Sequence, residues 1–468
     1  MNKYLYPFCF FFVSVSLTAQ EKTLKLSLKE AITYALENSY NTKVARNNIA
    51  SAKEKVWETT TIGLPQINAK VDYQNFLKQP VSLLPAAAFD NTTSTVNTVE
   101  DFFDLEANRR PTAPDGFIPV VFGTQQNVNA SVTLTQLIFD GSYLVGLQAS
   151  KTFLQISKQA EEKTELLTRE AVINAYGNVL VTENSISILK SNLKILQKNY
   201  DDAKKIYENG LNEEEDVEQL EITLGNVKSQ LNNVERMKTI AYQMLNLALG
   251  NPINNTLVLT DSLDSLATDN ISLALISESF NVNNHIDFKI AENDKETKRL
   301  MMKLEKSKAL PSLNAFVNYG SQAFSDSFTF FDNNQRWFQS SLFGVSLNVP
   351  IFSSLGRTAK TTQAKIALET ADLRLEETKQ RLALQAKKAK SDYQSSIDNY
   401  NTAKRNVALA ERIEKKQRIK FFEGISSSFD LLQAQNQLYT QQQNYIQSML
   451  SVIAKKAALE NALNLPIK

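Results

Sequence analysis

Apolar and polar residues alternate one for one along four stretches of the chain. Ile67, Ala69, Val71 and Tyr73 alternate with Gln66, Asn68, Lys70 and Asp72, and Val128, Ala130, Val132 and Leu134 with Asn127, Asn129, Ser131 and Thr133. Leu313, Ala315, Val317 and Tyr319 alternate with Ser312, Asn314, Phe316 and Asn318, and Phe343, Val345, Leu347 and Val349 with Gly344, Ser346, Asn348 and Pro350. A period of two predicts strands, over about 64–79, 127–139, 310–323 and 341–352.

Elsewhere the apolar spacing changes to 3-4-3-4. Ile186, Leu189, Leu193, Leu196, Tyr200, Ala203 and Tyr207 form one such seam, continued by Val217, Leu220, Leu224, Val227, Leu231 and Val234. Leu382, Ala386, Ala389, Tyr393, Ser396, Tyr400, Ala403, Val407 and Ala410 form another. A period of 3.5 residues predicts helices packed side by side as coiled coils. No proline falls between Gly141 and Pro252 or between Gly356 and Pro466. Helices are therefore predicted over 142–209, 213–249, 355–422 and 428–464, with shorter ones over 27–60 and 271–306. The first long helix would reach ~100 Å at about 1.5 Å per residue, a rod or a stave rather than part of a globule. The small and polar seam residues of the second long helix predict a layer only partly buried.

The two halves of the chain repeat one plan. "GLPQINAKVDY" (63–73) returns as "ALPSLNAFVNY" (309–319), with Pro65 and Pro311 separated by 246 positions. "LIFDGSYL" (137–144) returns as "PIFSSLGR" (350–357), and "YENGLNEEEDVEQ" (207–219) as "FFEGISSSFDLLQ" (421–433), where Gly210 and Gly424 are 214 apart. "LALGNP" (247–252) matches "NALNLP" (461–466), and "EAITYALENSYNTKVA" (30–45) resembles "ALISESFNVNNHIDFKI" (274–290). Repetition of this kind is read before any local feature, because it sets the architecture. The offset shrinks because the first copy carries a longer loop, residues 80–126, rich in Pro, Asn, Thr and aromatics. The expected organisation is a first repeat over 21–252 and a second over 253–468, each strand–strand–long helix–helix.

Composition removes most chemistry. A net charge of +1 leaves no excess for a polyanion, so nucleic acid is not an expected partner. The single cysteine, Cys9, and the single histidine, His285, exclude disulfides, zinc clusters and Ser-His triads. No cofactor, metal site or catalytic residue is expected, and His285 reads as a surface or packing residue. Residues 1–20, with Lys3 before an apolar run from Phe8 to Leu17, read as a secretory signal peptide cut after Ala19 or Gln20. That run is too short to span a bilayer.

For an exported chain, strands of about ten alternating residues match a membrane β-barrel, lipid outside and water inside. They match a half-buried soluble strand equally. If the sheet lies in lipid, four strands cannot close, since about eight is the minimum and each open edge group costs several kcal/mol. The barrel reading therefore demands several copies without fixing their number. The aromatics of 324–338, Trp337 among them, read as an interfacial girdle or as an ordinary loop cluster.

With this plan laid out, the chain resembles the TolC-type outer-membrane efflux proteins over essentially its whole mature length. The paired "LPQINA" and "LPSLNA" starts, the "LIFDG" and "PIFSS" ends, the two glycine turns and "DLLQAQNQLY" (430–439) carry the resemblance. It implies a mixed α+β membrane protein, a homotrimer whose 12-stranded β-barrel crosses the outer membrane of a Gram-negative bacterium. A coiled-coil α-helical barrel would continue it into the periplasm. It implies a passive exit channel of a tripartite efflux system, serving an inner-membrane pump through a periplasmic adaptor (membrane fusion) protein. Gly210, Leu211, Gly424 and Ile425 match the tips that meet the adaptor. Asp430 and Gln433 match the periplasmic aperture, although Gln433 replaces a second Asp, and Asp430 equally suits a helix N-terminus. Asp216 matches a first-hairpin gate residue, but its partners, a Tyr and an Arg in some members, are here Phe421 and Ser426. A type I protein-secretion or metal-efflux duct would share this fold. A periplasmic coiled-coil scaffold or adhesin is the rival from another class.

Overall fold

The computed structural model describes residues 24–89, 91–104, 115–210 and 213–465; the expected signal peptide lies outside them. The first half runs β1 (Leu24–Leu26), α1 (Leu28–Asn38), α2 (Tyr40–Thr61), β2 (Gln66–Asn75), β3 (Val81–Pro85), α3 (Asn91–Phe103), β4 (Phe117–Val121), β5 (Gln126–Asp140), α4 (Gly141–Glu208) and α5 (Glu214–Leu249). The second runs β6 (Leu257–Leu259), α6 (Leu263–Asp269), α7 (Leu273–Ser277), α8 (Ile286–Ser307), β7 (Ser312–Ser325), β8 (Trp337–Asn348), α9 (Gly356–Phe422) and α10 (Ser428–Ala462). The chain divides into two units. One takes its residues from Met1–Glu54, Ser150–Arg299 and Ala364–Lys468, the other from Lys55–Ala149 and Leu300–Gln363.

The smaller unit is built on an antiparallel sheet in the order β2-β5-β7-β8. Its register collects the alternation into faces, because residues directly opposite across antiparallel strands share a side. Ile67, Leu134, Val317 and Phe343 form one cross-strand row, and Ala69, Val132 and Tyr319 lie in the next row on the same face. Asn68, Thr133 and Asn318 share the other face, as do Lys70, Ser131, Gly320 and Ser340. There Asn318 Nδ2 donates to Thr133 Oγ1 at 2.6 Å and Lys70 pairs with Asp72 at 2.9 Å. The apolar face is exposed, with Ile67, Val71 and Phe343 each about 70% accessible, and Asn68, Lys70 and Ser340 on the other face are exposed too. β2 and β8 each pair on one side only.

Two expectations are corrected in this unit. The loop 80–126 holds structure of its own, an antiparallel β3–β4 hairpin bracketing a short 3₁₀ turn at Ala86–Phe89 and α3. The fourth strand begins at Trp337 and stops at Asn348, short of the expected 352, since Pro350 has no N–H to donate. At one end of the sheet Phe330 is buried with Val128 and Ala323, and Tyr73 meets Phe328 and Phe330 edge to face. These loop aromatics thus form a packed cluster.

The larger unit contains α5, α10, the greater part of α4 and α9, and a mixed cap. The helix expected over 27–60 is two helices. Ser39 leaves helical geometry (ψ 148°) and its Oγ accepts from Thr42 N at 3.3 Å, starting α2 afresh. Gly250, left-handed at φ +80°, packs against this joint so closely that a Cβ would lie 2.3 Å from the Asn38 carbonyl oxygen. The helix expected over 271–306 is likewise broken into α7, a 3₁₀ turn and α8. Asn281 accepts from Asn283 N, and His285 Nδ1 accepts from Asp287 N at 3.1 Å. Short polar side chains that bond nearby backbone compete with a continuous helix. His285 is buried against Phe280, a packing role.

Two buried tyrosines tie the cap to the long helices. Tyr176 Oη of α4 donates to Leu26 O at 3.0 Å and sits 3.1 Å from Asp261, whose carboxylate also accepts from Leu28 N. Tyr393 Oη of α9 donates to Asn270 O at 2.6 Å and accepts from Ser272 N. Burial drives both phenols above their ordinary pKa, Tyr176 strongly so, and they stay protonated donors. Along the second seam Leu382, Ala386, Tyr393, Ser396, Tyr400, Ala403 and Ala410 are buried, while Ala389 and Val407 are half-buried.

Candidate functional site: the helical hairpin tips

Each long helix turns back through a glycine held left-handed. Gly210 has φ +75° and Gly424 φ +71°, a backbone that L side chains adopt only at a cost. Gly424 N donates to Phe421 O at 3.0 Å and Ile425 N to Lys420 O at 2.7 Å, satisfying the last carbonyls of α9. Gly210 N donates to Tyr207 O at 2.8 Å and Asn209 Nδ2 to Lys205 O at 2.7 Å, doing the same for α4. Around both glycines the space is open, and a Cβ would meet nothing within 4 Å. Ile425 and Phe429 stand exposed beside the second turn. Leu211 lies outside the described residues.

Behind the turns the two hairpins share one small core of Ala203, Leu220, Phe421 and Leu431, edged by Tyr200, Phe422 and Leu432. Ser428 Oγ donates to Gln219 Oε1 at 3.1 Å, tying α10 to α5. Further from the tip Asn192 Nδ2 donates to Gln442 Oε1 at 2.9 Å, tying α4 to α10. Glu414 is buried in the seam of α9, and that burial raises its carboxyl above the ordinary range while Arg418, 3.7 Å away, draws it down.

The expected site residues fall as follows. Asp430 is exposed, and its carboxylate folds back on the start of α10: Ser427 Oγ donates to it at 3.0 Å and in turn accepts from Asp430 N. That is a capping box, so the residue has a structural task whatever else it does. Gln433, one turn on, is exposed. Asp216 closes the acidic first turn of α5 with Glu214 and Glu215. Among the described residues no hydrogen bond joins it to Phe421, which is buried, or to Ser426. Sequence reasoning missed the Gln219–Ser428 link and the buried Glu414. The latter was readable: Ala403, Val407, Ala410, Glu414, Gln417 and Phe421 continue the 3-4 seam. Among the described residues no cluster of metal-ligating side chains occurs, and no helix is long and apolar enough to cross a membrane.

The family model described as "Outer membrane efflux protein" matches residues 121–251 and 282–465, more than half the chain. The chain belongs to the outer membrane efflux protein family. Among curated proteins of this kind, the outer membrane protein TolC of Vibrio cholerae serotype O1 is 23% identical over 386 residues, 81% of this chain and 85% of TolC. Solved structures of the same fold include VceC from Vibrio cholerae (TM-score 0.68, 16% identity, 94% of this chain and 97% of that one). CusC aligns with TM-score 0.70 at 16% identity, over 96% and 95% of the two chains. The open-state MtrE outer membrane channel of Neisseria gonorrhoeae aligns with TM-score 0.68 at 16% identity, over 93% and 88%. This efflux protein is therefore TolC-like in fold and located in the outer membrane. Its family is one of channels and not of enzymes.

Proposed function

We propose that three copies of this chain form the outer-membrane exit duct of a tripartite efflux system. One observation carries the reading: a four-stranded sheet with an apolar exposed face, a polar opposite face and two open edges. In lipid such edges leave backbone groups unpaired at several kcal/mol each, so β2 of one copy must meet β8 of the next. Three copies give a 12-stranded barrel with Lys70, Asp72 and Asn318 facing the water inside. The two halves of the chain then serve as quasi-equivalent staves, and the long helices extend the conduit into the periplasm.

The hairpin tips are the surface that a periplasmic adaptor meets. Gly210, Leu211, Gly424 and Ile425 supply it, because the open space around the glycines admits another protein's backbone. The inner-membrane pump supplies the energy, and the duct performs no chemistry. Asp430 and Gln433 ring the aperture, with Asp216 on the neighbouring hairpin; a threefold ring of Asp430 carboxylates would favour cations.

The test is assembly and conductance together. Purified protein in detergent should scatter light as a trimer and conduct in planar bilayers, with Asp430→Ala lowering cation selectivity. A monomer in every detergent, silent in bilayers, would end the reading; a conducting trimer with unchanged selectivity would remove only Asp430 from the aperture.

A further inference from the structure

The two hairpins carry opposite charge on faces that nothing else in the chain covers. α5 buries Val217, Leu220, Val227 and Leu231; at about 100° per residue its opposite side carries Glu214, Glu215 and Glu218 around Ile222, with Glu221 at the border. α9 buries Ala403, Ala410, Glu414 and Phe421, and its opposite side carries Arg405, Arg412, Lys416 and Lys420 beside Leu409 and Ile413. All of these outward residues are exposed, the three apolar ones between 41% and 65%. Among the described residues, the ion pairs of α5 run to α4 (Glu235 with Lys190, Lys238 with Glu183), and that of the C-terminal part of α9 is internal (Arg418 with Glu414). Glu218, Glu221, Arg412, Lys416 and Lys420 enter none of them.

We propose that the acidic face of α5 packs against the basic face of α9 in the next copy, a head-to-tail seam that draws the tips together. The proposal rests on the trimer reading above and names the contact that closes its periplasmic end. Three features select a second copy as the occupant. Both complementary faces belong to one chain, so each copy satisfies two neighbours and a ring closes. Each face has apolar side chains among its charges, which a close contact would dry. The faces also stand at one level: Leu220 and Phe421 share a buried cluster, so Glu218 and Glu221 flank the same height as Lys420, with Lys416 one turn away. The seam further supplies a cohesion that Asp216 cannot, given Phe421 and Ser426. Being exposed, it weakens as salt rises.

The test is cross-linking between copies. Cys9 is the chain's only cysteine, so in a Cys9→Ser chain introduced thiols report without background. Glu218→Cys or Glu221→Cys, each combined with Lys416→Cys or Lys420→Cys, is treated with a short bis-maleimide in detergent at low salt. Covalent dimers and trimers are expected from at least one of the four pairings and from no single-cysteine variant. In whichever pairing links, reversing Glu215 and the remaining one of Glu218 and Glu221 to Lys should cut the yield several-fold, as should reversing Arg412 and the remaining one of Lys416 and Lys420 to Glu, and combining both reversals should restore it. A protein that light scattering shows to be trimeric but that no pairing links overturns the seam alone; a protein monomeric in every detergent overturns the duct reading. Reversed variants that link as well as the parent, yet no longer support efflux, would assign the faces to a different protein and end the proposal.

Discussion

Replacing Gly424 separates a turn that merely folds from a tip that docks. The substitution strains the backbone, because φ +71° is a left-handed conformation that costs an ordinary L residue about 1–2 kcal/mol. It adds no clash, since a Cβ there meets nothing within 4 Å. Gly424→Leu should therefore cost about 1–2 kcal/mol, against a total stability of ~5–15 kcal/mol for a typical protein, and lower the thermal midpoint by about 2–4 °C per kcal/mol or less. Gly424→Asn should cost less, because asparagine visits this region more readily. Thermal unfolding and light scattering in detergent check that both variants remain folded trimers. Efflux is then read as survival on the compounds to which a deletion strain has become sensitive. If the tip docks through its small surface, both variants lose efflux despite their different strain. If Gly424→Asn supports full efflux and Gly424→Leu fails in proportion to its stability loss, the turn is only a turn. A stability loss above about 4 kcal/mol for either variant, well beyond the left-handed cost, would refute the reasoning itself, since it would require neighbours that the open geometry lacks.

Other perturbations have equally definite outcomes. Gly250→Ala combines the same left-handed strain with a Cβ 2.3 Å from the Asn38 carbonyl oxygen, so it should destabilise well beyond Gly424→Leu; equal thermal midpoints would contradict the joint described here. His285 is held below its ordinary pKa, chiefly by burial and also by Lys163 and Arg381, with Asp287 opposing. The unfolded chain then binds the extra proton, so stability present above about pH 6.5 is lost as pH falls through the folded pKa. Melting between pH 7.5 and 5 should show that loss, and His285→Asn should flatten it. Glu414 has the opposite sign: its raised carboxyl, due first to burial, contributes below about pH 4.3, and that contribution disappears as pH rises through the folded value. Glu414→Gln should accordingly raise the midpoint at pH 7.5 more than at pH 4, and no difference between the two would count against a buried charge. Asp430→Ala removes the reciprocal half of the capping box while Ser427 still caps α10, and should cost about 1 kcal/mol or less, measurable by chemical denaturation independently of any change in ion selectivity.

What the sequence disclosed follows from which forces leave a periodic trace. A sheet with one greasy and one wet face writes its geometry as strict alternation, so Ile67 to Tyr73 and Phe343 to Leu347 could be placed without coordinates. A helix packed along its length writes a 3.5-residue seam, and Leu189, Leu196 and Ala203 follow it into the core. Breaks leave no such trace. Ser39 interrupts α1 and α2 through one hydroxyl and one ψ angle, while the residues on either side keep a helical pattern. Its deciding partner, Gly250, lies more than two hundred positions away. The same holds at Asn281 and His285, where local side-chain bonds defeat a helix that composition favours.

The tip shows why motif and geometry must be weighed together. "SSSFD" contains both an acid suited to an aperture and the serine that caps a helix, and the structure uses Ser427 and Asp430 as a reciprocal pair. A capping bond holds the carboxylate at a fixed place on the hairpin without removing its charge, so the two tasks are compatible: the cap orients what the aperture would need. Ser426 and Phe421 show the converse. Phe421 has no donor for the Asp216 carboxylate and is committed to the core with Leu220, and the Ser426 hydroxyl, buried without a partner, makes no bond to it. Cohesion at the tip must then come from residues outside the expected gate. The outward faces of α5 and α9 carry opposite charges that enter no ion pair among the described residues. Electrostatic closure of this kind would be graded by ionic strength instead of being broken bond by bond, so conductance that rises steeply with salt beyond the carrier concentration would be its signature.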